Sequence, residues 1–270
     1  MKDMLKQFGL FKKNDEILVF WWQSKEQNSN FGDVITPYLI DKINGKKSVW
    51  IYSRYCFRPY IVASGSVLKL INKNAIVWGT GIISQKDIII KPREILAVRG
   101  PLSRKRLLEL SINCPEVYGD PGLLLPSFYK PNVSQEYELG IIPHYIDYER
   151  VRREIKDKNV LIINMLDPVE KVIDDINRCK RTISSSLHGI IASHAYGIPS
   201  VWVIFSDKLA GDNIKFADYF LSVQINPYSP LDFRNKELSI KEMIRTIDTF
   251  KEKPHIDTSK LLEVCPFKKS

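Results

Sequence analysis

The chain is 270 residues long and 44% hydrophobic, enough for sizeable cores and comfortable for two domains. Its 40 Lys and Arg against 31 Asp and Glu leave a net charge of +9, which suits anionic small molecules, an anionic membrane surface or nucleic acid without choosing among them. Cys56, Cys114, Cys179 and Cys265 lie too far apart for a zinc site or a redox motif, and no segment reaches the roughly 20 uninterrupted apolar residues of a membrane span, so free thiols in a reducing cytoplasm, no metal and no span are expected.

Residues 1–13 are basic, with Lys2, Lys6, Lys12 and Lys13 among Leu5, Phe8 and Phe11. They lack the continuous apolar run and small-residue cleavage site of a signal peptide. Two readings stay open for them: an ordinary first helix packed on its domain, or a peripheral contact with an anionic membrane. Glu16 to Trp22 is nearly all apolar, as in a strand of a parallel sheet buried on both faces. The loop after it ends in Asn30-Phe31-Gly32-Asp33, and Thr36-Pro37 predicts a helix start, with Gly45 as its stop after Asn44. Because α/β sheets bind ligands after their strands, Asn30 and Asp33 are either turn formers or groups that orient a sugar hydroxyl.

Short apolar runs at Ile61 to Ser64, Ala75 to Trp78 and Glu94 to Val98 each end in small residues. The glycines there do not form a dinucleotide fingerprint, so neither a nicotinamide nor a flavin site is expected. Arg99-Gly100-Pro101-Leu102-Ser103 places an arginine at a strand exit, with Pro101 opening a helix through Leu110. Such an arginine either offers a planar fork to a carboxylate or phosphate, or lies on the surface near a helix start. Asp120, in Gly119-Asp120-Pro121-Gly122-Leu123, reads as a turn residue before it reads as a base.

The polar stretch Lys130 to Glu138 has the composition of an interdomain linker. After it the pattern predicts strands at Leu139 to Pro143, Val160 to Asn164, Thr182-Ile183, Val201 to Phe205 and Phe220 to Val223. Helices are predicted at Asp147 to Lys156, Asp167 to Cys179 and Ser239 to Phe250. Strands alternating with helices twice over define an α/β fold of two Rossmann-like domains facing a central cleft. The boundaries are 1–132, 136–235 and a C-terminal helical segment, 236–270.

Ser184-Ser185-Ser186-Leu187-His188-Gly189 reads as strand end, serine-capped turn and helix, with the helix stopped by Gly197 and Pro199. His188 falls in the first turn, where free N–H groups and the helix dipole attract anions and disfavour imidazolium. The spot is either an anion site with a proton shuttle built in, formed by Ser185, Ser186, Leu187, His188 and Gly189, or a capped helix with a half-buried histidine. His194, six residues on, is turned away and reads as structural. His144 is a weaker candidate for the cleft, and His255 reads as solvated.

Asn30-Phe31-Gly32-Asp33, Arg99-Gly100-Pro101-Leu102-Ser103, Gly119-Asp120-Pro121-Gly122-Leu123 and Ser184-Ser185-Ser186-Leu187-His188-Gly189, in this order, resemble the polysaccharide pyruvyl transferase family. The resemblance implies a glycosyltransferase-B-like fold. It also implies transfer of pyruvate from phosphoenolpyruvate, as co-substrate and without a further cofactor, onto two hydroxyls of a sugar in a surface polysaccharide or its lipid-linked precursor. The first domain would then carry the acceptor side, with Asn30 and Asp33, and contribute Arg99; the second would carry the donor side. In the family the arginine of the Arg-Gly motif and the histidine of the Leu-His-Gly motif serve the donor, which maps onto Arg99 and His188. Many relatives have arginine where this chain has Ser186, so Lys208 or Arg181 is expected to supply that contact. A cytoplasmic enzyme is implied, either free or peripheral at the inner face of the membrane. A nucleotide-sugar glycosyltransferase is the alternative enzyme. Nucleic acid is not expected as a partner, since no helix-turn-helix, zinc or RNA-recognition signature is present and the charge is dispersed.

Overall fold

The structure is a computed structural model that describes residues 2–23, 30–234, 239–250 and 252–268. Two parallel five-stranded sheets organise it. The first contains β1 (Glu16–Phe20), β2 (Lys47–Trp50), β3 (Tyr60–Val62), β4 (Ala75–Trp78) and β5 (Glu94–Ala97), in the order β2-β1-β3-β4-β5. The second contains β6 (Leu139–Ile142), β7 (Val160–Ile162), β8 (Thr182–Ser184), β9 (Ser200–Ile204) and β10 (Leu231–Asp232), in the order β10-β9-β8-β6-β7. Strands such as Leu139–Ile142 are buried throughout, as expected where helices cover both faces of a parallel sheet.

The helices are α1 (Lys2–Gln7), α2 (Phe31–Asn44), α3 (Pro101–Glu109), α4 (Tyr148–Glu154), α5 (Val169–Asn177), α6 (Leu187–Ala195), α7 (Ile214–Ser222), α8 (Ile240–Thr249) and α9 (Ser259–Glu263). None is long and apolar enough to cross a membrane. Helix α8 buries Met243 and Ile247 in the core of the second sheet, whereas α9 returns to the first. There the Trp78 indole N–H donates to the Leu261 carbonyl at 2.8 Å.

Two predicted elements differ. Helix α2 starts at Phe31, six residues before Pro37, because the Asn30 side chain accepts from the Gly32 N–H at 3.0 Å and caps it. Pro37 therefore lies inside the helix. The run Phe220 to Val223 is the end of α7, not a strand: Phe216, Tyr219 and Phe220 are spaced to bury one helical face. Strand β2, half-exposed with the pattern Lys-Ser-Val-Trp, was not predicted.

The two halves are closely joined. Phe31 N–H donates to the Met165 carbonyl at 2.7 Å, Tyr38 OH to Glu170 at 3.0 Å and Tyr129 OH to Asp174 at 2.8 Å. One apolar cluster runs from Val19, Ile35 and Trp78 to Ile142, Ile163 and Val172 and so belongs to both halves.

Candidate active site

A cavity of about 390 Å³ opens where the two sheets meet. Its walls come from segments that follow strand ends: Trp22 after β1, Gly65 to Val67 after β3, His144 to Ile146 after β6, Met165 after β7, Ser186 to His188 after β8, and Lys208 after β9. The carboxyl edges of both parallel sheets thus face one cleft, the place where open α/β sheets collect ligands.

His188 sits at the base of this cleft, with its side chain 12% exposed. Its Nε2 lies 3.0 Å from Ser64 Oγ and 3.3 Å from Asp120 Oδ2. With the Ser64 hydroxyl proton given to Asp120 Oδ1 at 3.3 Å, Ser64 accepts from His188 and the proton of the neutral ring is on Nε2. Nδ1 is left with a lone pair and has no hydrogen-bond partner among the described residues. Asp120 Oδ2 is buried and makes no hydrogen bond, which leaves an acceptor free in reach of an imidazolium. Gly32 lies against the other side of the ring, where a Cβ would come 2.0 Å from Nδ1. The N-termini of α2 and α6 therefore meet at this histidine.

Asn30 and Asp33 line the same cavity. Asn30 Nδ2 donates to Asp33 Oδ2. Burial pushes the Asp33 carboxyl up to about 7, against the pull of the His188 and Lys215 charges. Lys215 is the counterpart: burial, then repulsion from Arg99, brings its ammonium down to about 8, with Asp33 acting the other way. It lines the cavity and makes no ion pair among the described residues. Lys69 and the exposed Lys208 complete a cationic wall, and Trp22, Leu70, Tyr145 and Ile146 form an apolar rim. His144 is also present, held neutral to about 4 by burial and by Lys215.

Several predicted site residues lie elsewhere. Arg99 is fully buried and does not line the cavity. Its guanidinium donates to Asp218 at 3.0 Å, to Ser66 Oγ at 2.6 Å and to the Ile82 carbonyl at 2.7 Å, so the fork expected to be open to an anion is already filled. Asp218 also accepts from the Leu102 and Ser103 N–H groups at 2.9 Å, capping α3 from the other half of the molecule. Ser185 is buried, and its Oγ accepts from the His144 N–H at 2.8 Å. Gly189 faces the sheet, where a Cβ would meet Ser184 Oγ at 2.4 Å. Ser186 and Leu187 do line the cavity, but the Ser186 hydroxyl does not cap α6; Ser184 Oγ accepts from the Ser186 N–H instead. The Leu187 and His188 N–H groups are therefore left without intrahelical partners. Arg181 lies at the opposite end of the second sheet, paired with Asp248 beside a separate cavity of about 520 Å³. His194 is buried, 3.0 Å from the Tyr219 hydroxyl, and lines that separate cavity, not the cleft.

The sequence reading missed Ser64, Lys69 and Lys215 and weighed Asp120 mainly as a turn residue. Ser64 and Asp120 carry a usable signal, since both follow directly on segments that pair in the first sheet. The Val98–Tyr118 bridge places the run before Asp120 alongside β5. Lys215 carries none, because only the packing of α7 against the first half brings it to the cleft.

The chain is 35% identical over 234 residues to an uncharacterized protein of Acanthamoeba polyphaga mimivirus, the match covering 81% of each chain. No solved structure matches. The description polysaccharide pyruvyl transferase attaches to the family profile that matches residues 30–207, a span that begins at Asn30 and includes Asp120 and His188, while Trp22, Lys208 and Lys215 of the cleft lie outside it. The chain therefore belongs to the polysaccharide pyruvyl transferase family.

Proposed function

We propose that this transferase moves the pyruvyl group of phosphoenolpyruvate onto two hydroxyls of one sugar, forming a cyclic ketal, within a glycosyltransferase-B-like arrangement of its two halves. The observation that carries the reading is His188, held through Nε2 by Ser64 and faced by Asp120, in a cleft that also holds Lys208, Lys215 and the open N-terminus of α6.

The chemistry follows from these groups. The donor's phosphate and carboxylate are drawn to Lys208, Lys215 and the free N–H groups of Leu187 and His188. Lys215 takes over the anchoring cation expected of Arg99, whose guanidinium is committed to Asp218. His188, protonated on Nδ1 and steadied by Asp120, delivers that proton to the methylene carbon of the enol. The carbon bearing carboxylate and phosphate becomes electrophilic, and one sugar hydroxyl adds to it. Asp33, whose carboxyl titrates near neutrality, accepts the hydroxyl proton. Phosphate then leaves, and the second hydroxyl closes the ketal, its proton leaving with phosphate or through the histidine. Trp22 and Tyr145 at the rim offer flat apolar faces to the sugar ring. A lipid-linked saccharide in surface polysaccharide assembly is the acceptor class that fits the family.

Calorimetry separates this reading from nucleotide-sugar transfer. Phosphoenolpyruvate should bind the wild type and bind Lys215→Ala at least about tenfold more weakly, as expected for a charge-assisted contact. Binding of a nucleotide sugar, with none of phosphoenolpyruvate, would reject it.

A further inference from the structure

The N-terminal segment forms one surface with a loop that sequence patterning does not connect to it. Tyr52 N–H donates to the Gln7 carbonyl at 2.9 Å, and Phe57 N–H to the Phe8 carbonyl at 3.1 Å. The Phe8 ring packs 5.6 Å from Tyr52 and 6.4 Å from Tyr55. Gly9, at φ +69°, lets the backbone close on this loop, since a Cβ would come 2.7 Å from Cys56 Sγ. The joined surface displays Met4, Leu10, Phe11, Tyr52, Tyr55 and Phe57, the last two 62% and 69% exposed.

Its charge is one-sided. Residues 4–13 and 52–59 contain Lys6, Lys12, Lys13, Arg54 and Arg58 and no Asp or Glu. Lys6 is used by Glu16, while Lys12, Lys13, Arg54 and Arg58 are exposed and make no ion pair among the described residues. Exposed aromatics interleaved with unpaired cations match the layered chemistry of a bilayer surface, where rings settle among the headgroups and cations meet anionic lipid.

The surface also adjoins the cleft. Ser53 Oγ donates to the Leu70 carbonyl at 2.7 Å, and Leu70, with Lys69, lines the cavity. We propose that the face built from residues 4–13 and 52–59 docks this protein on an anionic lipid bilayer, with Phe11, Tyr55 and Phe57 entering the headgroup layer and the cavity opening beside the membrane. The docking stands on this surface alone, and only its purpose, delivery of a lipid-linked acceptor, rests on the pyruvyl-transfer reading.

The test is co-sedimentation of the full chain with phosphatidylcholine vesicles, with and without phosphatidylglycerol, and needs neither donor nor acceptor. Wild type should pellet with the anionic vesicles and be released by salt, as surface charge is screened. Tyr55→Ser with Phe57→Ser, and separately Lys12→Glu with Arg58→Glu, should each weaken binding by about tenfold or more while melting as wild type does. Wild type that stays in the supernatant, or binding unchanged in both double variants, overturns the proposal. So does a concentration-dependent dimer in ultracentrifugation, lost in both variants, with vesicles left bare, which would assign the face to a second copy of the chain. Turnover of a water-soluble acceptor by the variants, measured alongside, reports separately on the transferase reading.

Discussion

The two histidines of α6 separate chemistry from packing. His188→Ala should lower turnover by roughly two to four orders of magnitude, the usual contribution of a positioned acid or base. His194→Ala should instead leave the Tyr219 hydroxyl buried without its partner and cost about 1–3 kcal/mol in stability, read by denaturant melts with turnover nearly unchanged. The reverse pattern would move the proton shuttle to His194. Asp33 gives a pH signature. Its carboxyl protonates at about 7 in the folded chain against an ordinary 3.8, so the native state binds more protons between those values. Stability then falls as pH rises through that window and levels off above it. Asp33→Asn removes the buried charge, so its melting temperature should equal wild type at about pH 4, exceed it by a growing margin to about pH 7, and hold that margin beyond. A margin constant over the whole range would show that Asp33 is not held protonated. The position of His188 in the cleft was legible because a histidine after a strand end and serine cap has a definite address. Arg99 had the same kind of address and a different fate, because its partner Asp218 lies 119 residues away and leaves no local trace.

At the scale of elements, α2 and α6 act as one device. Gly32 in the first turn of α2 lets the helix lie against the His188 ring, and a Cβ there would come 2.4 Å from the ring's Cγ. Gly32→Ala should therefore displace the imidazole from Ser64 and Asp120 and reduce kcat by at least about tenfold, with a smaller change in phosphoenolpyruvate affinity, as expected when a reacting group is misplaced. Wild-type kcat in that variant would mean that the ring is not held where it reacts. Most strands were legible to within a residue or two, because buried parallel strands are plain apolar runs. The start of α2 was not: Thr36-Pro37 imitates a cap and first turn, and the Asn30 cap could be recognised only by its bond to Gly32. The aromatic run of α7 has strand composition, and helical spacing decides it only when Phe216 and Tyr219 are counted with Phe220.

For the whole molecule, the Arg99–Asp218 pair is a buried, charged joint between the halves. Both side chains are fully buried, and Asp218 holds the start of α3 as well as the guanidinium. Asp218→Ala should cost about 3–5 kcal/mol, because it strands a buried arginine and uncaps a helix, and chemical denaturation would measure it. A loss under about 1 kcal/mol would mean that water reaches the pair. Two parallel-sheet halves could be read from the alternation of strands and helices. Their meeting at one cleft was an expectation from fold class, and the return of α9 to the first half, through Trp78 and Leu261, had no sequence signal. The central claim is that this cleft protonates phosphoenolpyruvate and passes its carbon skeleton to a sugar. The most direct measurement is the reaction run in deuterated water with a panel of saccharide acceptors, the products analysed by mass spectrometry and NMR. The account predicts a pyruvyl ketal whose methyl group carries one deuteron, with one phosphate released per ketal, and both products formed at least about a hundredfold more slowly by His188→Ala. Saccharide modified with no deuteron in a methyl group, or phosphate released equally by His188→Ala, would contradict it.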